Sequence, residues 1–116
     1  MHFSEIKQKE ISATGIKFYV EEDYKEVARA YLYLMNNDLH DESFGFMEDV
    51  FVDESLRGQG IGSKLVTKLI EEAKNQGCYK LICTSRNSKP RVHSLYEKIG
   101  FRVCTANYVF HYHKTC

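Results

Sequence analysis

Between Val50 and Val66 the chain passes from an apolar run, through a turn with glycines at alternate positions, into an amphipathic helical pattern. No other feature constrains the fold as strongly. The segment reads Val50-Phe51-Val52-Asp53-Glu54-Ser55-Leu56-Arg57-Gly58-Gln59-Gly60-Ile61-Gly62, then Ser63-Lys64-Leu65-Val66. Glycine opens backbone conformations closed to other residues and leaves no Cβ between the amides and a ligand, so successive N–H groups can converge on anionic oxygens. The helix N-terminus behind them adds a partial positive charge. Alternating glycines at a helix start cost backbone entropy, so a phosphate cradle accounts for them better than a turn with no ligand.

The flanking sequence completes the unit. Ile61, Leu65, Leu69 and Ala73 recur at helical spacing with Val66 and Ile70 beside them, opposite Lys64, Lys68, Glu71 and Glu72, and Gly77 sits where a C′ residue stops a helix. Phe44 to Val52 reads as a strand apolar on both faces, hence central, and Cys78 to Thr84 as a second buried strand. Phe44 to Thr84 is therefore a β-α-β crossover with parallel strands. Upstream, Gly15 to Val20 and Lys25 to Asn36 read as a hairpin joined by the acidic turn Glu21-Glu22-Asp23. Asn36 to Ser43 reads as a loop. Downstream, Pro90 suits the first turn of a helix whose apolar stripe is Val92, Leu95, Tyr96 and Ile99, closed by Gly100. Phe101 to Cys104 and Tyr108 to His113 read as a terminal hairpin around Thr105-Ala106-Asn107. The expected order is β-β-β-α-β-α-β-β, an α/β mixed sheet with helices packed on it.

At 116 residues the chain is expected to form one domain. No stretch approaches the ~18 apolar residues of a membrane span, and the start Met1-His2-Phe3-Ser4-Glu5-Ile6-Lys7 lacks a signal-peptide pattern. A cytoplasmic location is the expectation. The cysteines at 78, 83, 104 and 116 form no C-x-x-C pair, and Cys78 and Cys83 fall in or beside an apolar strand, which suits reduced, buried thiols. The 16 Lys and Arg balance 16 Asp and Glu, so no broad basic field argues for nucleic acid. His111-Tyr112-His113 with Cys116 lacks a second pair at ligand spacing, so a metal site is not expected.

Two better-known phosphate loops do not fit. A dinucleotide fingerprint needs G-x-G-x-x-G, whereas the glycines stand at 58, 60 and 62; a P-loop needs G-K-[ST], whereas Gly62-Ser63-Lys64 puts the serine first. Arg57-Gly58-Gln59-Gly60-Ile61-Gly62 instead resembles the acetyl-CoA signature [RQ]-x-x-G-x-[GA] of the GCN5-related N-acetyltransferases (GNAT) and fits every defined position. Leu95-Tyr96-Glu97-Lys98-Ile99-Gly100-Phe101 resembles the L-Y-x-x-x-G-F segment of the same family. The resemblance covers roughly the C-terminal two-thirds of the chain. It implies a mixed, mostly antiparallel sheet with a central parallel strand pair and helices packed on it. The family opens with a helix pair between its first two strands; here they are expected to be shortened or absent, leaving the acceptor pocket open or completed by a second subunit in a homodimer.

The resemblance also implies acetyl-CoA as co-substrate and an amine as acceptor. An amine with a pKa of ~10.4 is mostly protonated at pH 7, which adds about 4 to 5 kcal/mol to the barrier, so a base is valuable. Glu48 shares strand parity with Phe44, Phe46, Val50 and Val52, which sets a carboxylate on an apolar face. It is a general-base candidate, directly or through water, of a kind worth about 10²- to 10⁴-fold. Glu48-Asp49-Val50-Phe51-Val52 resembles the equivalent strand of polyamine acetyltransferases, whose glutamate at this place is the proposed base. The competing reading pairs Glu48 structurally with a lysine or arginine. Asp49 falls on the other face and is the weaker candidate.

Tyr96 holds the tyrosine position of L-Y-x-x-x-G-F, which the resemblance assigns to protonating the departing thiolate; the alternative is a core tyrosine beside Leu95. His93 stands one turn earlier on the same helix face, to orient the phenol, to contact the cofactor, or simply half-exposed. The resemblance gives the pyrophosphate to the backbone of Gly58, Gln59, Gly60, Ile61 and Gly62, with Arg57 or Ser63 assisting. It gives the pantetheine arm to the edge of Val50, Phe51 and Val52, with Asn87 opposite. The loop from Ser85 to Arg91 is about two residues longer than the family's asparagine-to-tyrosine spacing.

The acidic groups Glu21-Glu22-Asp23 and Asp38-Asp41-Glu42 either rim the acceptor mouth, favouring a small cationic amine or a lysine side chain, or serve loop solubility. Two functions are open at this level: an N-acetyltransferase acting by direct attack of the amine, and a non-catalytic acetyl-CoA-binding module on the same fold.

Overall fold

A computed structural model describes residues 4–39, 41–83, 97–98, 102–104 and 107–111. Its elements are β1 (Ala13–Glu22), β2 (Lys25–Met35), β3 (Phe44–Val52), a 3₁₀ turn (Glu54–Leu56), α1 (Ile61–Asn75), β4 (Lys80–Cys83), β5 (Arg102–Cys104) and β6 (Asn107–His111). The strands form one six-stranded sheet in the order β1-β2-β3-β4-β6-β5. Every neighbouring pair is antiparallel except β3 and β4, which run parallel around the α1 crossover. That is the mixed sheet with a central parallel pair expected from the sequence.

β1 and β2 form a direct hairpin, with no helix between them. The strands run on through Glu21 and Glu22, so the turn is Asp23-Tyr24 rather than the acidic triplet, and both turn residues have positive φ (52° and 66°). Two-residue hairpin turns need that conformation because its twist matches the strands. Of the helix expected after Pro90, only Glu97 and Lys98 are described, and both are helical.

α1 begins at Ile61 and ends before Gly77, whose φ of 79° supplies the left-handed C′ residue. Its stripe Leu65, Val66, Leu69 and Ala73 is buried against Ala30, Leu32, Met47, Leu81 and Cys83 on one face of the sheet. Burial of this stripe holds the helix in place, since the helix start has no side-chain cap. Gly45 marks the tightest packing: a Cβ there would lie 2.9 Å from Leu81 Cδ1 and 3.1 Å from Leu32 Cδ1. Among the described residues no helix is long and apolar enough to cross a membrane.

Candidate functional site

The parallel pairing is short. Gly45, Phe46 and Met47 face Leu81, Ile82 and Cys83, and among the described residues Glu48 to Val52 have no partner on the β4 side. Among the described residues, β3 from Glu48 to Val52 is accompanied by β2 alone, and the backbone groups on its other edge lie in the sheet plane. A β-bulge lies where the pairing stops. Tyr31 opposes Glu48 and Arg29 opposes Phe51, so Ala30 stands against both Asp49 and Val50, and Asp49 takes a φ of 48°.

The bulge changes which residues share a face, because one extra residue inverts the alternation beyond it. Glu48 keeps company with Phe44 and Phe46, as expected, but not with Val50 and Val52. Val50 packs against the core, and Val52 reaches toward α1, its Cγ2 lying 3.5 Å from where a Cβ on Gly62 would be. Phe51 takes their place beside Glu48, while Asp49 is exposed at the bulge. The expected grouping of Glu48 with the two valines is corrected by this geometry.

Past Val52 the 3₁₀ turn folds back, and Arg57 closes it: its N–H donates to the Glu54 carbonyl at 3.3 Å and its side-chain Nε donates to the Val52 carbonyl at 3.0 Å. The guanidinium is thereby fixed at the end of the strand. Gly58 (φ 85°) and Gly60 (φ 81°) are both left-handed, a region that carries a steric cost for any residue with a Cβ. The first helical hydrogen bond comes from Lys64 N–H to the Gly60 carbonyl at 3.0 Å. Among the described residues, the N–H groups of Gly58, Gln59, Gly60, Ile61, Gly62 and Ser63 have no acceptor. No acidic side chain occupies the first turn of α1. Bare amides at the positive end of a helix, with no internal carboxylate to satisfy them, fit an anionic ligand.

Glu48 is half-buried on the face of the sheet away from α1, opposite Tyr31. Among the described residues it forms no ion pair and no side-chain hydrogen bond, so the lysine or arginine partner of the structural alternative is not found there. Burial pushes the Cys83 thiol up to about 12, with the Glu48 carboxylate adding to the rise, and burial raises Cys78 too. Both stay protonated thiols at neutral pH. A thiol held protonated is a poor nucleophile, since the thiolate is the attacking form.

Tyr96, His93 and Asn87 lie outside the described residues, as do His113 and Cys116. The acidic groups are described except for His40 between them, and the structure separates them. Glu21, Glu22 and Asp23 lie at the hairpin end of β2, beside the end of β3 that leads into the glycine turn. Asp38, Asp41 and Glu42 follow the opposite end of β2, where Asp38 pairs with Lys9 at 2.7 Å. Ten residues of strand rise amount to about 33 Å, so the two groups do not rim one mouth.

Sequence reasoning missed a second cluster on the Glu48 face. The Lys17 ammonium is hydrogen-bonded to Glu26, whose other carboxylate oxygen accepts from Arg29 Nη1 at 3.5 Å. Lys17 lies 5.4 Å from the Tyr19 ring centroid and 5.6 Å from that of Tyr31, and the Arg29 guanidinium lies 4.6 Å from the Phe51 ring. Glu26 and Tyr31 hold Lys17 above its ordinary pKa, and Lys17 followed by Arg29 holds Glu26 below its own. The alternation Lys17, Tyr19 and Arg29, Tyr31, Tyr33 was the available signal, since residues two apart share a strand face.

The sequence profile of the Acetyltransferase (GNAT) family matches residues 2–101. Glucosamine 6-phosphate N-acetyltransferase 1 of Oryza sativa subsp. japonica is 44% identical over 57 residues, which make up 49% of this chain and 33% of that protein. Thialysine N-epsilon-acetyltransferase of Bos taurus is 38% identical over 55 residues, 47% of this chain and 32% of that protein. The crystal structure of glucosamine-6-phosphate N-acetyltransferase from Arabidopsis thaliana superposes with a TM-score of 0.69 at 29% identity, covering 78% of this chain and 62% of that one. The matched stretch spans about a third of the length of these curated relatives.

Proposed function

Because the chain belongs to the acetyltransferase (GNAT) family, we propose that it is an acetyl-CoA-dependent N-acetyltransferase acting on a primary amine by direct attack. The observation that carries this reading is the row of N–H groups from Gly58 to Ser63, which have no acceptor among the described residues and follow the stretch of β3, Glu48 to Val52, that has no β4 partner among them. Acetyl-CoA supplies the activated acetyl thioester. The chain supplies the rest: amides of Gly58, Gln59, Gly60, Ile61 and Gly62 for the pyrophosphate, with the Ser63 amide and the Arg57 guanidinium beside them, and the edge of Val50, Phe51 and Val52 for the pantetheine arm.

Glu48 takes the proton from the ammonium, directly or through water, to free the attacking lone pair. Direct attack by the freed amine needs no acyl-enzyme intermediate. Tyr96 is assigned the protonation of the departing thiolate, and Asn87 and His93 are assigned contacts to the arm and the phenol. We keep a primary amine as acceptor, free or on a lysine side chain.

The test is free-thiol release from acetyl-CoA against polyamines, amino sugars, amino acids and peptides, with Glu48→Gln and Tyr96→Phe in parallel. Amine-dependent release that falls in both variants while acetyl-CoA affinity holds supports the reading. Tight acetyl-CoA binding without amine-dependent release would leave a binding module, and absence of binding would sink the assignment of Arg57 to Gly62.

A further inference from the structure

Taking amine acetylation as its premise, we infer that the acceptor pairs its amine with an anionic oxyacid group, and that Arg29 and Lys17 hold that group on the Glu48 face of the sheet. The side of approach comes first. α1 seals one face of β2 and β3 with Leu65, Val66, Leu69 and Ala73. Glu48, Tyr31, Phe46 and Phe51 lie on the other face, so an amine that meets the Glu48 carboxylate meets it there.

The charges on that face are unevenly matched. Glu26 is one carboxylate shared between two cations, Lys17 and Arg29, so the trio carries a net positive charge. Arg29 makes only the long 3.5 Å bond to Glu26 among the described residues, and its other N–H donors have no partner there. Its guanidinium carbon lies 4.6 Å from the Phe51 ring centroid, a contact that favours one placement of the guanidinium before a ligand arrives. Both cations keep over a third of their side chains exposed (37% each), so a ligand can reach them.

Register fixes the spacing. Lys17, Tyr31 and Glu48 lie in one row across β1, β2 and β3, and Arg29 and Phe51 lie in the next pair along β2. Two residues of strand separate Arg29 from the Glu48 row, about 7 Å. Tyr31 lies across from Glu48 and Phe51 across from Arg29, so both rings share the face that carries the carboxylate and the guanidinium. A compact amine carrying a phosphate or carboxylate a few bonds away matches this layout: its ammonium meets Glu48, its body lies on the rings, and its oxyanion meets Arg29 and Lys17. A polyamine would set a second positive charge against the same two cations.

Matched acceptor pairs test this. One pair is glucosamine 6-phosphate against glucosamine, the phosphate arm. The other is thialysine against bis(2-aminoethyl) sulfide, its decarboxylated counterpart, the carboxylate arm. The readout is kcat/KM for thiol release by the full chain and by Arg29→Gln, Arg29→Lys and Lys17→Gln. Charge-assisted bonds of this kind should favour the anion-bearing member of at least one pair by about tenfold or more. That ratio should collapse in Arg29→Gln through acceptor KM, survive partly in Arg29→Lys, and fall in Lys17→Gln, with acetyl-CoA KM unchanged throughout. Turnover with a ratio near one in both pairs, a ratio untouched in all three variants, or a preference for spermidine over every anion-bearing amine overturns the inference alone. Absence of amine-dependent release with every acceptor overturns the acetylation reading as well.

Discussion

From Gly45 to Met47, β3 is held on both edges, by β2 and by β4, whereas from Glu48 to Val52 only β2 accompanies it among the described residues. The first half includes Gly45 and Met47, both buried, the glycine pressed between Leu32 and Leu81. The second half has no fully buried residue, opens with a bulge, and ends in a turn whose amides lack acceptors. One strand thus has a packed first half, and a second half to which the proposed chemistry is assigned. Backbone groups are paired on both edges from Gly45 to Met47 and, among the described residues, on one edge beyond it. Substitutions in the two halves should therefore fail in different assays.

The largest contrast is expected from Glu48→Gln. The substitution keeps shape and removes the proton acceptor, so kcat should fall about 10²- to 10⁴-fold, while unfolding free energy moves by no more than about 0.5 kcal/mol. Steady-state kinetics beside a urea titration reads both. A variant that loses stability but keeps its rate would place Glu48 with the packing half of the strand.

Met47→Ala, its immediate neighbour, should do the reverse. Met47 is 2% exposed and sits in the core with Leu32, Val66 and Leu69. Truncation should cost about 2 to 4 kcal/mol of stability through lost transfer energy and a residual cavity. The urea midpoint should drop with acetyl-CoA KM unchanged in the molecules that remain folded.

The glycines of the turn sharpen the contrast at smaller amplitude. At Gly60, with φ 81° and nothing within 4 Å of an added Cβ, the obstacle to alanine is backbone conformation rather than space. Gly60→Ala should cost about 1 to 2 kcal/mol, seen as weaker acetyl-CoA binding if the loop shifts to relieve it. At Gly62 the added Cβ meets Val52 Cγ2 at 3.5 Å, an ordinary contact. Gly62→Ala should raise the melting temperature by the equivalent of about 0.5 to 1 kcal/mol, since alanine is the better helix former. Equal losses at both positions would mean that the cradle depends on lack of side chains and not on left-handed backbone.

The glycine turn, the extent of α1 and the parallel crossover were legible because each is a local pattern: positive-φ residues, a 3.6-residue stripe, and apolar runs on either side. The bulge was not. Asp49 in the left-handed region answers to the register between β2 and β3, and nothing in Glu48-Asp49-Val50 announces it, so simple alternation carried Val50 and Val52 to the wrong face. The acidic groups looked alike in sequence, and only strand direction shows that β2 lies between them. Lys17, Glu26 and Arg29 meet across two strands, past a register shift between Val20 and Glu21, which no residue spacing encodes. Tyr96 rests on the sequence motif, and His93 and Asn87 on their positions in the sequence, as all three lie outside the described residues.

The smallest expected effect comes from that trio. Glu26 is held below its ordinary pKa by Lys17 first and Arg29 second, so its contribution to stability is present above about pH 4.5 and is lost as pH falls through the lower folded value. Lys17 is held above its ordinary pKa by Glu26 and Tyr31, so its contribution is present below about pH 10.5 and is lost as pH rises through the higher folded value. Wild type and Glu26→Gln should therefore differ by a constant amount between those limits, converge below the acidic one, and converge in part above the alkaline one, where Arg29 stays charged. Thermal melts from pH 3 to pH 11 would show it, and added salt should shrink the plateau because all three side chains are partly exposed. If Arg29 alone retained Glu26, the alkaline convergence would vanish while the acidic one stayed. That outcome would assign the carboxylate to Arg29 and leave Lys17 as the freer cation on the face that Glu48 shares.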